Sequence, residues 1–299
     1  MSSLAAHHGY VLVTPVRNEE ATIGITIAAV LAQTIRPRQW VIVSDESTDR
    51  TDEIVAGYAA ANPFIRPLRL RDRPPRNFAS IVFVVESGLT HLTVRDYSFI
   101  GLLDADIRMA ADYFEKLLAA FQADPALGLA GGLAVDVGTR PSFLRLHDVA
   151  GAVQFFRREC FEAIGKLFPI PEGGWDALTN VCARMRGYKT ATLPHLVVDH
   201  LKPRNISEGG LMRRAWQLGL RDYALGYHPL YVTAKNLLRI AEPPLLVGTL
   251  ARFMGYASGW WRGQPRVLPQ DVLRDLRREQ LRRLCGWAMS PAFPGCQPK

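Results

Sequence analysis

The chain has 299 residues, 48% of them hydrophobic and 21% charged, with a formal net charge of +8. That is enough apolar material for one large domain or two modest ones, and too much for wholesale disorder. The excess of basic residues calls for an anionic partner, whether nucleic acid, anionic lipid or a phosphorylated small molecule. Four widely spaced cysteines, Cys160, Cys182, Cys285 and Cys296, form no CxxC pair, which argues against a zinc site or a disulfide framework and fits a reducing cytoplasm.

The first fifteen residues have no basic region followed by a long apolar stretch, so no secretory signal is expected, and His7–His8 reads as a solvated lead-in. "YVLVTP" (10–15) and "WVIVSD" (40–45) are short β-branched runs ending in polar residues, the pattern of buried strands. Between them Ile23, Ile27, Val30 and Leu31 fall at helical spacing behind Asn18, Glu19 and Glu20. A second helix is expected over 47–60, with Asp49 as N-cap and Asp52 three positions on in a variant of the capping box. A third strand is read at 64–68. Phe78, Ile81, Val82, Val85 and Leu89 form the next helical face, "SFIGLL" (98–103) is a fourth strand, and 113–121 is again a helix. Strands alternating with helices imply a parallel sheet covered on both faces, with ligands beyond the strands' carboxyl ends. Pro15–Glu19, Asp45, and the pair Asp104 and Asp106 all lie at such ends, so one site is expected there. At strand spacing the two aspartates point the same way, and two close carboxylates call for a neutralising partner.

From about residue 151 the rhythm changes. "GAVQFFRREC" reads as a strand, "PIPEGGWD" as a loop, "DALTNVCARMRG" as a helix ending at Gly187, and "TATLPHLVVDH" (190–200) as one or two strands. Helices are expected over roughly 209–225, 229–240, 244–262 and 269–284.

Taken in order, "VLVTPVRNEEATIGITIAAVLAQT", "VIVSDESTDRT", "LLDAD", "GGWD" and "DH" resemble the motifs of family 2 glycosyltransferases of the GT-A fold, over about the first 200 residues. The resemblance implies a Rossmann-like mixed sheet flanked by helices. It implies a catalytic domain at 1–205, its nucleotide-sugar half at about 1–135 and its acceptor half at about 136–205, followed by a helical region at 206–299. It places Pro15, Arg17, Glu19, Asp45 and Asp104 against the donor nucleotide, Asp104 and Asp106 with His200 on a divalent metal, and Asp176 on the acceptor side as catalytic base. Trp175 beside it would offer a ring face to a sugar. Ser44 and Glu46 depart from the aspartate and glycine usual in the second motif. Ser47 and Asp49 also read as helix-capping residues.

Two same-facing carboxylates suit Mg²⁺ or Mn²⁺, with diphosphate oxygens completing the shell, and an imidazole tilts the choice toward Mn²⁺. The implied activity is an inverting, nonprocessive transfer of one sugar from a UDP-, GDP- or TDP-sugar to a saccharide or lipid-linked acceptor, in surface polysaccharide or glycolipid synthesis. Arg213 and Arg214 sit near a tryptophan, but the Gln-x-x-Arg-Trp pattern of processive relatives is absent. A nucleotidyltransferase is one alternative, although "TPVRNEE" has no glycine-rich phosphate loop. A non-catalytic scaffold of the same fold is another, kept alive by Ser44. A nucleic-acid partner is not expected, because no recognition module or stacking platform is present.

The stretch 245–261 is short for a membrane span and has Arg252 in its middle. Leu246, Leu250, Phe253, Ala257 and Trp260 make one apolar face, and Trp260 and Trp261 are followed by Arg262 and Arg266. That suits an interfacial helix at an anionic membrane surface, hence a cytoplasmic chain peripheral to the inner face of the cell membrane. A helix hairpin with an ordinary salt-bridged outer face is the alternative.

Overall fold

The computed structural model describes residues 9–71, 77–137, 147–202, 210–240 and 244–288; His7, His8 and Cys296 lie outside them. Its contacts divide the chain into two compact units, Met1–Pro171 with Trp175–Arg204, and Glu172–Gly174 with Asn205–Lys299.

In the first unit the apolar runs read from the sequence become β1 (Tyr10–Val16), β2 (Gln39–Asp45), β3 (Ile65–Leu70) and β4 (Phe99–Leu103). They alternate with α1 (Ile23–Leu31), α2 (Thr51–Ala61) and α3 (Ser80–Thr90). A three-residue strand β5 (Ile107–Met109), α4 (Tyr113–Ala123), β6 (Leu127–Asp136), β7 (Val153–Arg157), α5 (Arg158–Ile164), α6 (Trp175–Met185) and β8 (Lys189–His200) complete it. The eight strands form one sheet in the order β3-β2-β1-β4-β7-β6-β8-β5. β1 to β4 are joined by parallel pairings. β7 runs antiparallel to both β4 and β6, β6 pairs parallel with β8, and β5 antiparallel with β8. The sheet is therefore mixed, with the purely parallel part confined to the first four strands.

The core explains why this half is stable. β1, β2 and β4 are buried along nearly their whole length, as expected for strands covered on both faces. Tyr10, Phe99, Phe114, Phe121 and Phe155 interlock with ring centroids 4.7–5.8 Å apart. Each such ring contributes about 1.5–3 kcal/mol by burial, and favourable ring pairs add about 0.5–1.5 kcal/mol.

Several local expectations are revised. β6 was not foreseen, because "LGLAGGLAVD" lacks strand composition. A side chain on Gly131 would come within 2.3 Å of the Val153 carbonyl oxygen, and one on Gly132 within 2.4 Å of that of Leu196. The glycines are there for close strand approach, not for a turn. The strand read at 151–160 splits into β7 and α5. α2 begins at Thr51, with Arg50 in the N-cap position. Asp49 instead accepts from the Thr51 amide at 3.0 Å and the Glu20 amide at 3.1 Å. Asp52 pairs with Arg69 and does not close a capping box.

The second unit contains α7 (Gly210–Ala224), α8 (Pro229–Leu237), α9 (Val247–Trp261) and α10 (Gln270–Ala288). α7 and α9 pack backbone to backbone. A methyl group on Gly219 would sit 1.9 Å from the Arg252 carbonyl oxygen, and one on Gly255 2.2 Å from that of Trp216. Of the apolar face read from the sequence at this helix, Leu246, Leu250, Ala257 and Trp260 are exposed and Phe253 is half-buried. The buried face of α9 is made of small residues and Arg252 (Gly248, Thr249, Ala251, Arg252, Gly255 and Gly259). Leu246, Leu250, Met254, Trp260 and Trp261 are 52–87% exposed. On α10, Arg278 pairs with Asp275 and Arg283 with Glu279, and Arg277 donates to the Gly226 carbonyl. No helix among the described residues is long and apolar enough to cross a membrane. Cys160, Cys182 and Cys285 are free thiols.

Candidate active site

β4 stops at Leu103, so Asp104 and Asp106 stand on a turn between β4 and β5 and not on a strand. Two contacts fix that turn. The Asp104 amide donates to the Ala152 carbonyl at 2.9 Å, tying it to the start of β7. The hydroxyl of Thr26, fully buried on α1, lies 2.8 and 2.9 Å from the carbonyls of Ala105 and Ile107 and accepts from the Ile107 amide at 3.1 Å. β8 delivers His200 opposite Ile107, and the Leu201 amide donates to the Asp106 carbonyl at 2.8 Å.

Side-chain ligand atoms of Asp104, Asp106 and His200 thus converge within 4.8 Å of one another. His200 Nε2 is 3.4 Å from Asp104 Oδ2, and Nδ1 is 3.3 Å from Asp106 Oδ2. The second approach lacks hydrogen-bond geometry, leaving buried Nδ1 without a hydrogen-bond partner. Burial works against protonation of the imidazole, but its contacts with Asp104 and Asp106 outweigh burial and raise its pKa to about 9. Burial pushes the Asp104 carboxyl above the usual carboxylate range; the Asp106 and Asp176 charges add to this and the His200 contact opposes it. An oxygen, oxygen, nitrogen donor set with one unsatisfied ring nitrogen fits a divalent cation such as Mn²⁺ or Mg²⁺.

The loops after β1 and β2 meet beside this cluster. Asn18 and Glu46 adopt left-handed backbone (φ 51° and 56°). The Asn18 amide donates to the Ser47 hydroxyl at 3.2 Å, and Asn18 Oδ1 accepts from the Thr48 amide at 2.8 Å. The Glu19 amide donates to the Thr51 hydroxyl at 2.7 Å. Ser47 and Asp49 therefore stitch the two loops together. Ser44, in the usual aspartate position, has its hydroxyl 3.0 Å from that of Ser47. One pocket is lined by Pro15, Arg17, Glu19, Asp45, Asp104 and Asp106, with Val16 and Ala105. Ile81 and Val84 of α3, read from the sequence as core only at Ile81 and not at all at Val84, also line it. Arg17 is 3.9 Å from Asp45, which is 5% exposed.

Asp176 lies in the first turn of α6, half-buried, and not at its N-cap. A buried polar network holds its backbone: its carbonyl accepts from Gln154 Nε2 at 3.0 Å and Asn180 Nδ2 at 2.8 Å, and lies 2.7 Å from the Thr179 hydroxyl. Asn180 in turn exchanges hydrogen bonds with the Val149 backbone. Sequence reasoning missed Gln154, Thr179 and Asn180; a lone amide inside the apolar run of β7 was the available signal. Trp175 is 8% exposed, so its ring is committed to packing and presents little face to a sugar.

The β1 and β2 loops and an acidic turn at the carboxyl ends of parallel strands, joined to an antiparallel half, define a GT-A fold. Two solved structures share it. A mannosyltransferase, PcManGT from Pyrobaculum calidifontis, determined with GDP-Man and Mn²⁺, has a TM-score of 0.58 at 18% identity over 97% of this chain and 83% of that one. TarS (1–349) from S. aureus, determined with UDP-GlcNAc, has a TM-score of 0.53 at 14% identity over 93% of this chain and 92% of that one. The family description "Glycosyl transferase family 2" matches residues 11–172, more than half the sequence: the chain belongs to this family and carries a glycosyltransferase domain. The poly-β-1,6-N-acetyl-D-glucosamine synthase of Staphylococcus aureus is 23% identical over 263 residues, 88% of this chain and 56% of that protein. The chain thus spans about half the length of the curated relatives it matches. Family membership argues against the nucleotidyltransferase alternative.

Proposed function

We propose that this chain is a metal-dependent, inverting glycosyltransferase that moves one sugar from a nucleotide-sugar donor to an acceptor hydroxyl, in the synthesis of a surface polysaccharide or glycolipid. The convergence of Asp104, Asp106 and His200 within 4.8 Å beside the pocket that holds Pro15, Arg17, Glu19 and Asp45 carries this reading. Asp104, Asp106 and His200 would hold Mn²⁺ or Mg²⁺, whose positive charge offsets that of a diphosphate. The β1 and β2 loops, locked to each other by Asn18 and Ser47, present Pro15, Arg17, Glu19 and Asp45 to the nucleotide. Asp176 takes the acceptor hydroxyl's proton as the new carbon–oxygen bond forms and the bond to the nucleoside diphosphate breaks on the opposite face, which inverts the anomeric carbon. The 2.7–3.0 Å bonds to its backbone carbonyl keep α6 in register for that task, and buried Trp175 helps to seat the same turn. A single transfer per encounter is read from the absence of the Gln-x-x-Arg-Trp pattern beside Arg213, Arg214 and Trp216. The structural neighbours were determined in complex with GDP-Man and with UDP-GlcNAc, which supports a nucleotide sugar as the donor class.

The acceptor is a saccharide or lipid-linked saccharide, met at an anionic membrane surface. Of the described chain, 237–261 carries the densest run of exposed large apolar side chains, Leu237, Leu238, Leu245, Leu246, Val247, Leu250, Met254, Trp260 and Trp261 among them. Exposed Arg262 and Arg266 follow directly, so apolar insertion and attraction to anionic headgroups come from adjacent residues.

Titration calorimetry of UDP, GDP and TDP, with and without Mn²⁺, tests the donor reading. Binding of one of them that requires the metal and disappears in Asp104→Asn is expected. Metal-independent binding, or equal binding by the variant, overturns the metal assignment, and no binding of any of the three overturns the donor reading.

A further inference from the structure

Lys202 was assigned no role by the sequence motifs, yet its ammonium lies 2.6 Å from Glu19 Oε2, in the wall of the nucleotide pocket. The two partners are held differently. Glu19 is built into the start of α1: its carbonyl accepts from the Thr22 and Ile23 amides at 2.9 and 2.8 Å, and its carboxylate accepts from the Thr22 hydroxyl. The Lys202 side chain is 43% exposed on a flexible four-carbon stem, while Glu19 is 18% exposed. Only its base is pinned, two residues after His200 and directly after the Leu201 amide that bonds the Asp106 carbonyl. Lys202 therefore spans from the Asp104–Asp106–His200 cluster to the β1–α1 loop, the interval that a diphosphate held between metal and nucleoside must cross.

Charge decides what Lys202 does there. Four carboxylates, those of Glu19, Asp45, Asp104 and Asp106, line this pocket, and one divalent cation cannot offset both them and a diphosphate. Among the described residues, Arg17, 3.9 Å from Asp45, and Lys202 are cations at hand besides His200. A partly exposed ion pair such as Lys202–Glu19 is weakly held, and a diphosphate carries more negative charge than one carboxylate, so an incoming diphosphate can displace the glutamate. We propose that Lys202 is a catalytic residue of this site. Glu19, in the pocket wall, holds it in reach, and it transfers to the donor's diphosphate oxygens, where its positive charge offsets the negative charge that grows on the leaving nucleoside diphosphate as the sugar–oxygen bond breaks. No proton moves in this step; the ammonium stays protonated throughout. This inference rests on the donor reading above.

The test compares nucleoside diphosphate with monophosphate (UDP with UMP, GDP with GMP, TDP with TMP) by calorimetry in Mn²⁺ for the intact chain, Lys202→Met and Lys202→Arg. Lys202→Met is expected to weaken the diphosphate about tenfold or more and leave the monophosphate within about twofold, with Lys202→Arg restoring most of the loss. Equal loss for both nucleotides would mean that the pair merely shapes the pocket, and no loss would mean that Lys202 does not reach the ligand; either overturns the proposal. If the unsubstituted chain binds none of the three diphosphates, it is the donor reading that fails.

Discussion

Asp176 and His200 show how much a side chain's surroundings decide. Asp176 is anchored through its backbone carbonyl by Gln154, Thr179 and Asn180, which leaves its carboxylate free of those bonds. Asp176→Asn keeps this scaffold and removes only the basic oxygen, so nucleotide affinity should stay within about twofold while turnover falls roughly 10²–10⁴-fold. Full turnover in the variant would exclude Asp176 as the base. His200 makes a prediction about the metal-free protein. Its pKa of about 9 lies above the ordinary histidine value of about 6.5, so the folded state binds the proton more tightly than the unfolded one. The resulting stability is fully present below about pH 6.5 and is lost as pH rises through 9. Thermal melts with metal chelated should show Tm falling across that window, and His200→Gln should flatten the slope; a slope unchanged in the variant would assign the effect to other groups.

Among the elements, α1 does work that its amphipathic pattern conceals. Its threonine at position 26 is fully buried and reaches the Ala105 and Ile107 backbone, holding the turn from which both aspartates project. Thr26→Val preserves the side chain's shape but removes the hydroxyl, at a cost of about 1–3 kcal/mol. Tm should drop by several degrees, and Mn²⁺ affinity should fall more than nucleoside monophosphate affinity, because the turn proposed to hold the metal loosens while the β1 and β2 loops keep their own bonds. Calorimetry on the folded variant at low temperature separates the two. Equal metal affinity would show that the Ala152 and His200 contacts suffice. α9 teaches the same lesson in reverse: its glycines face α7, so its large apolar residues are left on the outside.

For the molecule as a whole, the +8 charge and the exposed apolar run at 237–261 set the expected setting. Trp260 and Trp261, 70% and 87% exposed, are the side chains best suited to a bilayer interface. Replacing both with alanine should reduce co-sedimentation with phosphatidylglycerol-containing vesicles at least severalfold while leaving nucleotide binding unchanged. Undiminished sedimentation would assign the exposed face some other role.

The alternation of "YVLVTP", "WVIVSD" and "SFIGLL" with helical spacing determined the parallel half of the sheet from sequence alone, because buried strands and amphipathic helices follow local periodicity. The same runs placed Pro15, Arg17, Glu19, Asp45 and Asp104 at strand ends, and the structure lines one pocket with all five. What only the tertiary structure decided depends on contacts between segments distant in the chain. β6 stayed hidden because Gly131 and Gly132 are chosen for the carbonyls of Val153 and Leu196 that press against them, and no local pattern records that closeness. Gln154 and Asn180 look like misplaced polar residues until β7 and α6 come together around the Asp176 carbonyl. Lys202 is one basic residue among 36 until β8 carries it to Glu19, 183 positions earlier in the chain. Local sequence determines which segments become strands and helices; which side chains meet is a property of the packed sheet.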